Sequence, residues 1–481
     1  MFCFFISWWE ESILRKKEHS FKRIIILIYG LAFLFSVYKM FFYVQYVGRF
    51  PDEVAQISYI AYLEKENTII PDFKDMMVLE QKETVNIKSN TADNSKNVLN
   101  EYTFSDTINY LGHPPLYYQI MRLSRAVQVE GNIVTVNLFK LRCFNIGLSS
   151  LAMLLILFIG YTRIDKNPIL HWLYATIVVS VPMLAYTSAG VNNDTLSLLG
   201  LSVFILGLLR FSERKRNLST YLLISLGVFI AFMSKLTVGL IIFISIFLFL
   251  IFIIIKEKNA WFLCSKKFLV TLPIYLTIVA YYLFVYLKTG SIQPSFRLLD
   301  PKSFYESGFY VAVSDRTHMN FIQYAIYFAR SFLMSWTGIE SGVSLVKTGG
   351  IFSLNSIGLL SLLFFPIMLV FQIKRVIHGS ETVLVIISIY FGLAISAVIQ
   401  FLRSFNEYVN ISGYLGGFQS RYYLCGISVI ALAITFIMKS LYERVSVTNQ
   451  TAKGRFSLRY YQIIKSISSK KIILSSICIL F

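Results

Sequence analysis

The chain has 481 residues, of which 56% are hydrophobic and 15% charged, with a formal net charge of +19. Its mean hydropathy of +0.62 excludes a soluble globular protein. The basic excess then points to membrane topology and anionic lipid headgroups, with no nucleic acid as partner.

Residues 1–23 read as a cytoplasmic segment, basic over Arg15–Arg23 and carrying Trp8 and Trp9, with no small-residue cleavage site. Residues 24–440 read as the membrane domain. Apolar runs long enough to cross a bilayer are expected at 24–47, 134–160, 169–188, 195–211, 219–235, 237–255, 268–287, 353–373, 382–402 and 421–438. The fold class is therefore an all-α polytopic bundle of about 10–12 transmembrane helices. Short loops carrying Arg163, Lys166, Arg210, Arg214–Arg216, Lys256, Lys258, Lys374 and Arg375 fall on the side of Arg15–Arg23, which sets the N-terminus in the cytoplasm. The first external loop, 48–132, is acidic by contrast. Juxtamembrane helices are expected in it at Pro51–Asn67, with Val54, Ile57, Ile60 and Ala61 on the membrane face, and at Leu116–Gln128. The stretch Gln81–Ser105, rich in Asn, Ser, Lys and Thr, reads as a polar linker.

A second external region spans 288–352, and its apolar stretch Phe321–Trp336 reads as interfacial or re-entrant, because a full crossing would place Lys374-Arg375 outside. Residues 441–481 form a basic cytoplasmic linker and a partial hydrophobic segment. Five scattered cysteines suggest neither a disulfide framework nor a zinc cluster.

The polar motifs stand at the external ends of the spans. Asp52 and Glu53 follow Pro51 at the exit of the first span, where Pro51 suits a first helical position. Adjacent carboxylates at a membrane lip are costly without a role. His113 precedes Pro114-Pro115 and reads equally as a helix cap and as a ligand or acid–base group. Asn192-Asn193-Asp194-Thr195 could be a capping turn or part of a site. Lys235 either snorkels to the interface or meets an anion. In Gly416-Gly417-Phe418-Gln419-Ser420-Arg421, glycines allow close backbone approach and Arg421 can fork onto a phosphate. Carboxylates facing cations at one membrane face suit transfer from a lipid-phosphate donor: a base takes the acceptor's proton while cations stabilise the departing phosphate.

Taken together, Pro51-Asp52-Glu53, His113-Pro114-Pro115-Leu116-Tyr117-Tyr118, Asn192-Asn193-Asp194 and Gln419-Ser420-Arg421-Tyr422 resemble the GT-C superfamily of integral-membrane glycosyltransferases. That group includes protein O-mannosyltransferases and aminoarabinose transferases, and the pattern is most similar to a bacterial branch with a Pro-Asp-Glu motif after the first helix. The resemblance implies a polyprenyl-phosphate sugar donor, a glycan, lipid or protein acceptor, and inversion at the anomeric carbon. It implies Asp52 as catalytic carboxylate with Glu53 beside it. His113, Asn193 and Asp194 would orient the acceptor or a divalent metal ion, for which Asp52, Glu53 and His113 are the candidate ligands. Lys235, Gln419 and Arg421 would hold the donor phosphate. Gln56 replaces a histidine, and Ser420 a glycine, common in relatives. The competing readings are a polymerase or ligase of lipid-linked glycans and a transporter or flippase of lipid-linked sugars. Transport is disfavoured by spans whose centres are largely free of charge and by the lack of two matching halves.

Overall fold

The computed structural model describes residues 2–46, 50–82, 99–337, 381–417 and 419–452. Among these, seven helices are long and apolar enough to cross a membrane, and the bent pair Pro168–Ser180 and Pro182–Ala189 makes an eighth if it is one span. The protein is a polytopic, predominantly helical membrane protein. Of the ten expected runs, the one at 219–235 forms a shorter helix, Leu218–Phe232, and the one at 353–373 lies outside the described residues.

The chain divides into two compact units. Of the described residues, one contains 2–36, Ile156–Val181 and Ile427–Ala452. Within it helix α5 (Pro168–Ser180) packs on the last described helix, Ile427–Ala452. Its fixed points are polar contacts in an apolar setting. Tyr29 Oη lies 2.8 Å from His171 Nδ1, and Tyr174 Oη donates to the Ile156 carbonyl at 2.7 Å.

The other unit, Val37–Leu155 and Pro182–Gly426, holds the sequence motifs. It contains the end of α1 (Phe2–Tyr46), then α2 (Glu53–Glu66), α3 (Leu116–Arg122) and the start of α4 (Leu138–Arg163). After α6 (Pro182–Ala189) come α7 (Asp194–Ser212), α8 (Leu218–Phe232), α9 (Leu236–Glu257) and α10 (Lys266–Thr289). Two short turns, α11 (Phe296–Leu299) and α12 (Pro301–Glu306), lead to α13 (Phe321–Thr337) and α14 (Glu381–Asn406). Helices α7 and α8 run in close contact because glycines let the partner backbone approach: a Cβ on Gly227 would stand 2.4 Å from the Phe204 amide nitrogen. Close approach at small residues is how membrane helices gain packing where the hydrophobic effect offers none.

The first long loop departs from expectation. It builds a four-stranded antiparallel sheet, in the order β1 (Met77–Gln81), β2 (Leu99–Ile108), β4 (Ile133–Asn137), β3 (Val127–Glu130). Helix α3 stops at Arg122, and Val127 and Val129 alternate with Gln128 and Glu130 at the two-residue period of a strand. The tight turn Gly131-Asn132 closes the β3–β4 hairpin, with Gly131 at φ 63°. Leu99–Ser105, part of the expected linker, is strand, and residues 83–98 lie outside the described residues.

Helix α2 does not lie on a membrane face. It packs against β1, β3 and α3, and Ala55–Leu63 are all buried, with Tyr59, Ala61 and Leu63 fully so. Only Val54 of the four expected membrane-face residues is exposed. Tyr59 stacks on Tyr118 with ring centroids 3.6 Å apart, joining α2 to α3.

Candidate active site

The turn Phe50-Pro51-Asp52-Glu53 is fixed from both sides. Asp52 adopts a left-handed backbone (φ 59°, ψ 9°), a conformation costing an L-residue roughly 1–2 kcal/mol and best tolerated by Asn, Asp and Gly. Pro51 consequently precedes the helix, which starts at Glu53. Phe50 is seated against Tyr186, ring centroids 4.9 Å apart, and a Cβ on Gly190 would collide with its ring at 2.3 Å. Glu53 is buried. Its Oε2 accepts from Arg142 Nη2 at 2.6 Å, and its Oε1 accepts from Arg142 Nε at 2.9 Å and the Val191 amide at 3.0 Å. The Arg142 guanidinium also lies over the Phe50 ring, 4.7 Å from its centroid.

With the turn so held, Asp52 reaches a second pair of charges. Its Oδ2 accepts from Arg421 Nη2, and its Oδ1 accepts from Tyr110 Oη at 2.9 Å. Arg421 lies on a 3₁₀ turn, Ser420–Gly426, and its Nε stands 3.9 Å from Asp194 Oδ2. Asp194 Oδ1 accepts from Lys235 Nζ. Asp194 opens α7, where a carboxylate complements the helix dipole, and Lys235 sits in the bend between α8 and α9. Tyr422 lies beside both cations, its centroid 4.3 Å from Lys235 Nζ and 5.4 Å from the Arg421 guanidinium carbon. Four segments distant in sequence thus converge in one cluster of two acids and two bases. A small cavity beside it is lined by Asp194, Thr195, Ser197, Arg421, Tyr422 and Cys425.

The cluster is buried unevenly. Arg421 exposes 4% of its side chain and Asp194 10%, while Asp52 exposes 33%. Arg421 Nη1 and Asp194 Oδ2 are buried without a hydrogen-bond partner. Burial opposes charge on Asp52, but the Arg421 charge and hydrogen bond, Tyr110 and Lys235 outweigh it and hold the carboxyl below its usual range. Burial and the Asp52 carboxylate raise the Tyr110 phenol, which keeps it a donor.

His113 is close to this cluster. Burial and Lys235 push its pKa down to about 3, against the pull of Asp194 and Asp52, so its imidazole is neutral near pH 7. Its carbonyl accepts from Tyr59 Oη at 2.8 Å and its Nδ1 is 3.4 Å from Gln293 Nε2. Asn193 is turned elsewhere: fully buried, it donates to the Ser234 carbonyl at 3.0 Å and ties α7 to the end of α8. Asn192 Oδ1 caps the same turn by accepting from the Asp194 amide at 2.9 Å. Gln419 contributes its carbonyl to the turn that carries Arg421, accepting from the Tyr422 amide at 3.5 Å.

A metal site on Asp52, Glu53 and His113 does not fit this arrangement. Glu53 is engaged by Arg142, and Asp52 by Arg421 and Tyr110. Among the described residues no three His, Cys, Asp or Glu side chains gather as a ligand set. Two residues of the site, Arg142 and Tyr110, went unnoticed in the sequence, and Tyr422 was quoted in a motif without a role of its own. Arg142 follows Lys140 at the start of an apolar run, where a basic residue is unremarkable, and Tyr110 carries no charge to mark it and lies outside the quoted motifs.

Two solved structures are similar to this chain. One is ArnT from Cupriavidus metallidurans in the apo state, at 10% identity and a TM-score of 0.42, over 95% of this chain and 69% of that one. The other is the archaeal oligosaccharyltransferase AglB from Archaeoglobus fulgidus, in complex with an inhibitory peptide and a dolichol-phosphate. It is 13% identical with a TM-score of 0.45, over 95% of this chain and 56% of AglB, so this chain spans little more than half of that protein. No protein-family model matches the chain, and no curated sequence does.

Proposed function

We propose that this protein is a membrane glycosyltransferase that moves a sugar from a polyprenyl-phosphate donor to an acceptor hydroxyl, with inversion, at the extracytoplasmic face. The observation that carries this reading is the buried cluster of Asp52, Asp194, Arg421 and Lys235 at helix ends, with the buried Arg421 Nη1 still able to donate. Two buried cations beside two carboxylates suit a reaction in which one oxygen loses a proton and another gains negative charge.

The lipid part of such a donor needs an apolar groove, and the protein has one that we assign to it. An apolar groove of about 540 Å³ runs along α8, α9 and α10, lined by Phe232, Ile242, Phe243, Tyr275, Tyr282 and Ile292 among others. Two of its residues are close in sequence to site residues: Phe232 is three residues before Lys235, and Ile292 precedes Gln293, whose Nε2 is 3.4 Å from His113 Nδ1. A polyprenyl chain in this groove would bring its phosphate to Lys235 and Arg421.

In the proposed step the acceptor oxygen attacks the anomeric carbon from the face opposite the phosphate. The bond between that carbon and the phosphate oxygen breaks, and its electron pair leaves on the phosphate, where Arg421 and Lys235 stabilise the charge. Asp52 takes the hydroxyl proton. Neutral His113 donates or accepts a hydrogen bond without changing charge. Asp194 holds the two cations in register. In this reading the N-terminus is cytoplasmic and the cluster lies on the opposite side, an orientation supported by the basic short loops. The test is to give membranes containing the protein a panel of labelled polyprenyl-phosphate sugars and, separately, nucleotide sugars. Release of polyprenyl phosphate from one of the lipid donors is expected. Turnover of nucleotide sugars alone would refute the donor class.

A further inference from the structure

The arrangement of Asp52 in front of Arg421 has a meaning beyond shared membership of a site. Arg421 is almost wholly enclosed, whereas a third of the Asp52 side chain is exposed, so Asp52 stands between Arg421 and whatever enters from the open side. The Arg421 guanidinium is already divided: Nη2 donates to Asp52, Nε faces Asp194, and Nη1 has no hydrogen-bond partner. A forked contact with a phosphate uses two adjacent N–H groups. Nη1 is ready to supply one of them. Its neighbour Nη2 becomes available when Asp52 moves away.

The charge inventory leads to the same point. Two carboxylates and two cations make a balanced cluster, with Asp194 bonded to Lys235 and Asp52 to Arg421. A phosphodiester adds one negative charge, and leaving Asp52 in place would crowd two anions onto one guanidinium. Asp194 is the less suitable group to yield, because it sits deeper and is held by Lys235 as well. Asp52 is held by the guanidinium and one tyrosine hydroxyl, on a left-handed turn residue at the mouth of the site.

We propose that Asp52 occupies, in the free enzyme, the position on Arg421 that the donor's phosphate takes, so that donor binding releases the base and must precede activation of the acceptor. This rests on the glycosyltransferase reading given above. The chemistry favours such a device. A carboxylate held by a guanidinium is a weak base, and one released beside a phosphate is a stronger one, since a neighbouring anion favours its protonated form. Without donor the enzyme has no free base with which to activate water or an acceptor. The transferable sugar and the active base arrive together.

The proposal makes an unusual demand: removing the catalytic carboxylate should improve donor-side binding. Undecaprenyl phosphate, the form of a donor without its sugar, is titrated into the full-length protein in detergent, with wild type, Asp52→Asn, Asp52→Ala and Arg421→Ala compared. Melting and size-exclusion profiles select variants that remain folded, and Asp52→Ala covers the case in which the asparagine variant does not. The expected result is binding about tenfold tighter or more in an Asp52 variant, and a loss of that gain when Arg421→Ala is added. Equal affinity in wild type and Asp52 variants, with Arg421 still required, would overturn the masking and leave the donor reading intact. Binding that ignores Arg421 would remove both the masking and the phosphate site. Absence of binding to folded wild type would overturn the lipid-phosphate reading itself.

Discussion

Arg142→Ala is expected to destabilise the protein more than any loss of a surface charge would. Arg142 and Glu53 are both buried, with 7% and 8% of their side chains exposed, and they share two hydrogen bonds of 2.6 and 2.9 Å. Removing the arginine leaves the Glu53 carboxylate with the Val191 amide as its remaining partner among those described above, and takes the guanidinium off the Phe50 ring. Breaking such a pair from one side costs about 3–5 kcal/mol, a large part of the ~5–15 kcal/mol that holds a typical domain together. Replacing both partners by methionine removes both charges and is expected to restore much of that loss, because desolvation offsets most of what a buried ion pair gains. Thermal unfolding in detergent, followed by intrinsic fluorescence, compares wild type, Arg142→Ala and Arg142→Met/Glu53→Met. The single variant should melt lowest and the double between it and wild type. Activity should stay low in both, since the turn that carries Asp52 has lost its anchor. A single variant that melts with wild type, or a double that melts lower still, would refute the account of this turn.

Further outcomes follow from the same geometry. Arg421→Lys keeps a cation but loses the planar fork, so phosphate binding should weaken at least tenfold, as measured by titration with undecaprenyl phosphate; unchanged affinity would mean a point charge suffices. Acid should destabilise the protein through His113: its folded pKa of about 3 lies below the ordinary 6.5, so the unfolded chain binds the extra proton and stability falls as pH drops from about 6.5 toward 3. The lowered Asp52 carboxyl adds to this loss at the acid end, because its pairing vanishes as pH falls through its folded value. His113→Gln should flatten the melting profile over that window, and an unchanged slope would remove His113 from the explanation. Ile69, 77% exposed on the first long loop, is the place to test orientation. In a cysteine-free background Ile69→Cys should react with an impermeant thiol reagent in intact cells, and labelling only after lysis would reverse the proposed topology.

Much of the site was legible in the sequence because charge is conspicuous in an apolar chain. Asp52, Asp194, Lys235 and Arg421 each stood out at the end of a span, and the structure brings all four together. What the sequence lacked was pairing: Asp52 and Arg421 are 369 positions apart, and no periodicity links them. It also left Glu53 beside Asp52 without showing that a left-handed residue turns the two carboxylates to different partners. The sheet of the first loop was missed for a different reason. Strands β3 and β4 have only four and five residues, and their alternation is hard to separate from the tail of a helix. Pairing across the loop, rather than local preference, selects the strand there.

The account stands on Asp52 as the proton acceptor of a glycosyl transfer. Its most direct test is turnover of a labelled polyprenyl-phosphate sugar by purified wild type and Asp52→Asn, with undecaprenyl phosphate binding measured on the same samples. The account predicts turnover lower by about 10²–10⁴-fold in Asp52→Asn, the usual worth of a positioned base, in a folded protein that still binds the lipid phosphate. An Asp52→Asn protein that turns the donor over at the wild-type rate would contradict it.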